Sequence, residues 1–271
     1  MRNAFALDAP AFAARDLPPA DHAAKPPLPT RDLFGLHVVA TTSPAAADAV
    51  ISLVAGGRHG KFAFLNAHAA NLACTDQRFH DALRDFTIFP DGLGIDVASR
   101  LLHGSTFPEN LNGTDFIPFL LERCARPLRV GLLGARPGVV TEARDRFRVA
   151  HPRHAFRVVH HGYFDADREG EIVASLLADP VDILLVAFGN PRQEVFIAER
   201  IDGRHCRAAF GIGALFDFTS GRMPRAPRVM RDLRIEWMFR LRREPRRMWR
   251  RYLLGNPVFL ARVLRERPRR A

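Results

Sequence analysis

"DILLVAFGNPRQEVFIAERI" (residues 182–201) opens as a near-continuous apolar run. It breaks at Gly189, Asn190 and Pro191, then resumes with apolar residues at helical spacing. An apolar run of strand length that does not alternate with polar residues is expected where a sheet is covered on both faces. The stretch therefore predicts a strand over 182–189, a polar turn, and a helix over 190–201. The same unit recurs. Further strands are predicted at "LHVVA" (36–40), "KFAFLN" (61–66), "FTIFP" (86–90), "LRVGLLG" (128–134), "FRVVH" (156–160) and "CRAAFG" (206–211). Helical patterns lie between them at "SPAAADAVISLVAG" (43–56), with Ser43 as N-cap, Pro44 in the first turn and Gly56 at the end, and at residues 114–125 and 137–150. This alternation predicts an α/β fold built on a Rossmann-like, doubly wound, mostly parallel sheet.

A chain of 271 residues, 47% hydrophobic and 25% charged, is long enough to bury such a core. Its three cysteines, Cys74, Cys124 and Cys206, are widely spaced and form no CxxC pair, which argues against a disulfide framework and a zinc site and for a cytoplasmic setting. No run of about 18 apolar residues is present, so no spanning helix is expected. Residues 1–31 are rich in Ala and Pro, lack the pattern of a secretory signal, and are expected to form a mobile tail. Residues 32–221 are expected to form the α/β core, and 222–271 a helical appendage.

The net charge of +11 is unevenly placed. From Arg222 onward there are 17 Arg and no Lys against four acidic residues, a local net of +13 that leaves −2 for the rest. Met230, Leu233, Trp237, Leu241, Met248, Trp249, Tyr252 and Phe259 interleave with those arginines. A basic, aromatic, amphipathic segment suits an anionic membrane surface, although the same apolar side chains would also serve to pack on the main domain.

Ligands of such sheets bind beyond the carboxyl ends of the strands. Five polar segments fall there: 66–71, 91–94, 134–138, 189–194 and 211–217. Asp91, in "FPDGLGIDVASRLL" (89–102), follows a strand and precedes a helix. It reads either as a helix cap or as a general base at the mouth of the sheet, and spacing alone does not decide. Gln193 and Glu194 begin a helix, where an acidic residue favours the positive end of the dipole. Asn66 ends a strand, and a role limited to loop backbone is open to it. His68 has no partner at metal-ligand spacing. "GLLGARPG" (131–138) is neither a dinucleotide fingerprint nor a P-loop, though its glycine turn before a helix suits either a diphosphate or a plain bend. No HExxH, GxSxG or paired Cys/His set occurs, so metal hydrolysis and serine chemistry have no support.

Several segments together resemble the WecG/TagA/CpsF glycosyltransferase family: "LNAHAANLA", "FPDGLGIDVASRLL", "LNGTDFI", "VGLLGARPGV", "HGYF", "VAFGNPRQEVFI", "GIGALFDFTSG" and "RAPRVMRDLRIEWMFRLRREPRRMWRRYL". They run in the family's order over roughly residues 34 to 260. The resemblance implies an inverting, metal-independent transferase with no cofactor. Such an enzyme acts on the cytoplasmic face of the membrane and moves a sugar from a UDP-sugar to a polyprenyl-diphosphate-linked acceptor. It implies Asp91 as base and a substrate site including Asn66, Gly92, Asn112, Gly113, Gly134, Gly189, Gln193 and Glu194, with Arg225 and Arg228 from the appendage. Three positions depart from the family's usual residues: Phe64 where Thr is frequent, His68 where Glu is frequent, and Asn110 where Arg is common. These departures favour a glucose or N-acetylhexosamine donor of the exopolysaccharide, xanthan-like kind over an N-acetylmannosamine donor, which is the alternative. Homo-oligomer formation stays open. A nucleic-acid-binding protein using the Arg-rich tail would explain the charge but not the ordered polar strand ends, and no nucleic-acid partner is expected. A dinucleotide-dependent enzyme lacks its glycine fingerprint.

Overall fold

The computed structural model describes residues 27–232 and 235–266. Most of the expected N-terminal tail, and Leu233 of the appendage, lie outside the described residues. The chain runs β1 (Thr30–Leu33), β2 (Leu36–Val39), α1 (Ser43–Ala55), β3 (Gly60–Leu65), α2 (Ala67–Ala73), α3 (Gln77–Arg84), β4 (Thr87–Pro90), α4 (Leu93–His103) and α5 (Gly113–Arg123). It continues with β5 (Arg129–Gly134), α6 (Val139–Ala150), β6 (Ala155–His160), α7 (Ala166–Ala178), β7 (Val181–Ala187), α8 (Arg192–Arg200) and β8 (Cys206–Gly211). Four short helices follow, α9 (Leu215–Thr219), α10 (Arg228–Asp232), α11 (Glu236–Arg243) and α12 (Pro245–Trp249), then a π-helical turn (Arg250–Leu254) and α13 (Gly255–Glu266).

The eight strands form one sheet in the order β1-β2-β4-β3-β8-β7-β5-β6. Every pair is parallel except β1 with β2. The seven strands expected from apolar runs are β2 to β8. The strand β1 has the sequence TRDL and no apolar run; it exists because Phe34 and Gly35, both at positive φ, make a tight reversal that folds it back on β2. The sheet thus starts at Thr30, inside the segment read as tail. At α1 the N-cap is Thr42 rather than Ser43, and the Glu109 carboxylate accepts the Ser43 N–H at 2.6 Å.

Both faces are covered. One core holds α1, α5, α6 and α9 against the sheet, and its centre is a phenylalanine stack in which Phe62 meets Phe210 at 4.6 Å and Phe89 meets Phe116 at 4.9 Å. The other holds α2, α3, α4, α7, α8 and α13. Phe259 and Val263 of α13 are part of that second core, so the end of the basic segment is built into the body of the molecule. Asn71 of α2 fixes it further: its Nδ2 donates to Gly255 O at 2.7 Å, and its carbonyl accepts from Arg262 at 2.7 Å. No helix among the described residues is long and apolar enough to cross a membrane.

The chain leaves β5 toward the β6 edge and leaves β7 toward β8, in opposite directions. The carboxyl ends of β5 and β7 therefore part to leave a crevice, the usual place for a ligand in an open α/β sheet.

Candidate active site

A cleft of about 2310 Å³ runs along the carboxyl ends of the strands. The loops after β3 to β8 form its floor and walls, and residues of α10 to α13 close one side. It contains Asp91, Asn66, Gly92, Asn112, Gly113, Gly189, Gln193 and Arg228 of the expected site; Gly134, Glu194 and Arg225 do not line it.

Asp91 is not a helix cap. The N-cap of α4 is Gly92, at φ +90°, and no side chain bonds the first turn. The carboxylate instead faces the cleft, half-buried, where Asn66 Nδ2 donates to its Oδ2 at 3.1 Å. The backbone beneath is pinned twice: Asp91 N–H donates to Leu65 O at 2.9 Å, and Gly92 N–H donates to Asn110 Oδ1 at 2.7 Å. Gly92 is glycine for its backbone angle, since a Cβ there would meet nothing within 4 Å.

Asn66 carries three contacts. Its Oδ1 caps α2 by accepting from Ala69 N–H at 3.1 Å and also accepts from Arg251 Nη2 at 3.3 Å, while its Nδ2 holds Asp91. A residue of the basic segment thus reaches the carboxylate through one intervening amide. Next to it, burial and the Arg251 charge push the His68 imidazole down to about 4, so His68 stands neutral in the cleft near pH 7. Asn112 caps α5 through Thr114 and Asp115 N–H, both at 3.1 Å. Gly113 is glycine because a Cβ would come within 2.9 Å of the Phe64 ring.

The glycine loop after β5 has a packing cause. Gly134 has φ +127°, and a Cβ on it would fall 2.5 Å from Ala187 O. Gln193 lines the cleft but spends its polar atoms inside the protein. Its Oε1 accepts from Gly189 N–H at 3.1 Å and Gly213 N–H at 3.2 Å, tying the loops after β7 and β8 together. Its Nε2 donates to Glu194 Oε1 at 2.7 Å, which also accepts from Asn190 at 2.6 Å. Glu194 is 1% exposed, and burial raises its carboxyl to about 7. Arg225 pairs with Asp115 at 3.0 Å and Glu236 at 3.6 Å, so it braces the appendage against α5.

Two cleft contacts are not singled out from sequence, Asn110 under the Asp91 loop and Arg251 on Asn66; Trp237 and Tyr252, named from sequence as tail aromatics, meet at 5.7 Å in the cleft. In the sequence Asn110 is only a departure from the family's usual residue and Arg251 only one of many arginines. Among the described residues no cluster of three His, Cys, Asp or Glu is placed to hold a metal ion. The arrangement offers a carboxylate that is held by a neutral amide and faces the cleft, beside a wall rich in arginine.

A family model described as "Glycosyl transferase WecG/TagA/CpsF family" matches residues 31–271. A similar protein is the N-acetylglucosaminyldiphosphoundecaprenol N-acetyl-beta-D-mannosaminyltransferase of Bacillus spizizenii, 33% identical over 182 residues, 66% of this chain and 68% of that protein. Its name sides with the N-acetylmannosamine alternative and against the glucosyl preference drawn from Phe64, His68 and Asn110. Two of those departures have local causes instead: Asn110 bonds the Gly92 backbone, and Phe64 packs under Gly113.

Proposed function

This chain belongs to the WecG/TagA/CpsF family of glycosyltransferases, and we propose that it moves N-acetylmannosamine from a UDP-linked donor to a polyprenyl-diphosphate-linked N-acetylglucosamine acceptor. The product is a lipid-linked disaccharide for a cell-surface polysaccharide. The single observation that carries the chemistry is a strand-end carboxylate that caps nothing and faces a large cleft: Asp91, held by Asn66. The sugar and acceptor follow the name of the Bacillus spizizenii relative.

In this reaction the acceptor hydroxyl gives its proton to Asp91. Its oxygen bonds the anomeric carbon from the face opposite the leaving group, the bond from that carbon to the diphosphate breaks, and UDP departs with the electron pair. The configuration inverts. Asn66 orients the carboxylate, and Asn110 and Leu65 fix its loop. Arg228, with other cleft arginines, faces the diphosphates of donor or acceptor. The enzyme works on the cytoplasmic face of an anionic membrane, to which the Arg-rich segment draws it. The exposed apolar side chains of the same segment, Trp249, Leu253, Leu254, Val258, Leu260 and Leu264, enter the interface.

The test is UDP release by the full chain with a prenyl-diphosphate N-acetylglucosamine acceptor and a panel of UDP-N-acetylmannosamine, UDP-N-acetylglucosamine and UDP-glucose. Turnover with UDP-N-acetylmannosamine well above the other two is expected. Turnover with UDP-glucose alone would overturn the donor assignment, and no release with any donor would overturn the reading.

A further inference from the structure

The β5–β7 end of the cleft carries a cation that the protein itself leaves unpaired. Arg192 lays its guanidinium over the rings of Phe164 and Phe188, 4.9 and 4.7 Å from their centres, and those rings meet edge to face at 5.5 Å. Its Nη1 donates to Gly162 O at 3.2 Å. The rings and the carbonyl fix one side of the group, while the residue stays exposed and lines the cleft. Among the described residues no carboxylate lies within 4.0 Å of it, whereas Arg78, Arg123, Arg146, Arg200 and Arg204 all have such partners. Arg136 and Asp165, both exposed, also line the cleft, and Asp165 forms no ion pair with Arg192 or Arg136.

A guanidinium immobilised by aromatic faces has already lost much of its side-chain freedom. It presents its remaining N–H groups as a ready fork for phosphate oxygens. We infer that Arg192 receives the diphosphate of the nucleotide-sugar donor, in the crevice where β5 and β7 part. This rests on the donor being a UDP-sugar, as proposed above. The position fits the reaction. Asp91 follows β4, and β4 and β7 are three strand spacings apart, about 14 Å. Both side chains line the cleft between those strand ends, so the acceptor oxygen and the anomeric carbon would lie on the Asp91 side and the leaving diphosphate on the Arg192 side. When the bond from the anomeric carbon to the diphosphate oxygen breaks, its electron pair passes to that oxygen. Arg192 is placed to bind the added charge by charge-assisted hydrogen bonds. The acceptor's proton stays with Asp91.

The experiment is titration of the full chain with UDP and with uridine, for the unaltered protein, Arg192→Met and Arg192→Lys. Methionine keeps an apolar stem for the two rings and removes the charge. Thermal melting confirms that each variant is folded. UDP affinity should fall about tenfold or more in Arg192→Met and by less in Arg192→Lys, with uridine affinity unchanged. Equal UDP affinity in Arg192→Met and the unaltered protein would overturn the assignment. So would an equal loss for UDP and uridine, which would mean that Arg192 only shapes the wall. If the unaltered protein binds no UDP, the donor class itself fails and this inference fails with it.

Discussion

Asp91 and Glu194 show how far a single residue can be read. In sequence, Asp91 stood between cap and base, because an acidic residue after a strand and before a helix suits both. Gly92, at positive φ, takes the cap position and leaves the carboxylate to the cleft. That outcome depends on a backbone angle that the sequence only hints at through its glycine. Glu194 was legible as a helix-start acid, but not as a buried one. Its Oε1 is bonded by Asn190 and Gln193, and its Oε2 has no partner among the described residues. Apolar side chains of β3, α2, α3 and β4 surround it, with no other titratable group among them. Because burial raises this carboxyl from 4.5 to about 7, the folded protein keeps a proton that the unfolded chain releases. Stability should therefore be fullest below pH 4.5, fall as pH rises to about 7, and level off above, a contribution on the order of 3 kcal/mol. The difference in melting temperature between the unaltered protein and Glu194→Gln, followed from pH 4.5 to 8, isolates this contribution from the histidines. A difference that does not change with pH would contradict it.

At the scale of elements, apolar runs announced β2 to β8, because parallel strands covered on both faces leave that mark. They missed β1, whose pairing comes from the Phe34–Gly35 turn, and they passed over α2, α3 and α7 between stronger signals. Composition alone marks the basic segment as an appendage. Composition does not report that Phe259 and Val263 of α13 enter the second core, or that Asn71 grips Gly255 and Arg262. Asn71→Ala removes two side-chain hydrogen bonds at this contact, Nδ2 to Gly255 O and Arg262 to Oδ1, while the bond from Arg262 to the backbone carbonyl stays; the loss should cost about 1 to 3 kcal/mol. The tail should also open more often. Limited trypsin digestion would then cut the arginine-rich segment faster in the variant while leaving the sheet intact. Equal cleavage rates would mean that Asn71 is not what holds α13.

For the whole molecule, charge and shape act together. The last 50 residues carry a net +13, and the described ones close one side of the cleft and leave apolar side chains exposed. Binding to vesicles containing phosphatidylglycerol should exceed binding to neutral phosphatidylcholine vesicles. It should weaken as salt rises from about 0.1 M to about 1 M and the screening length shrinks from about 10 Å to about 3 Å. Equal binding to both kinds of vesicle would contradict the electrostatic part of that attachment. The proposed function asks one event of the cleft, the passage of a proton from an acceptor hydroxyl to Asp91 as a sugar is transferred. The most direct test is the turnover number of Asp91→Asn, measured as UDP released from UDP-N-acetylmannosamine with the lipid-linked acceptor, beside its melting temperature and UDP affinity. Loss of the base should lower turnover by about 10²-fold or more with folding and UDP binding kept. Turnover within a few-fold of the unaltered enzyme would contradict it.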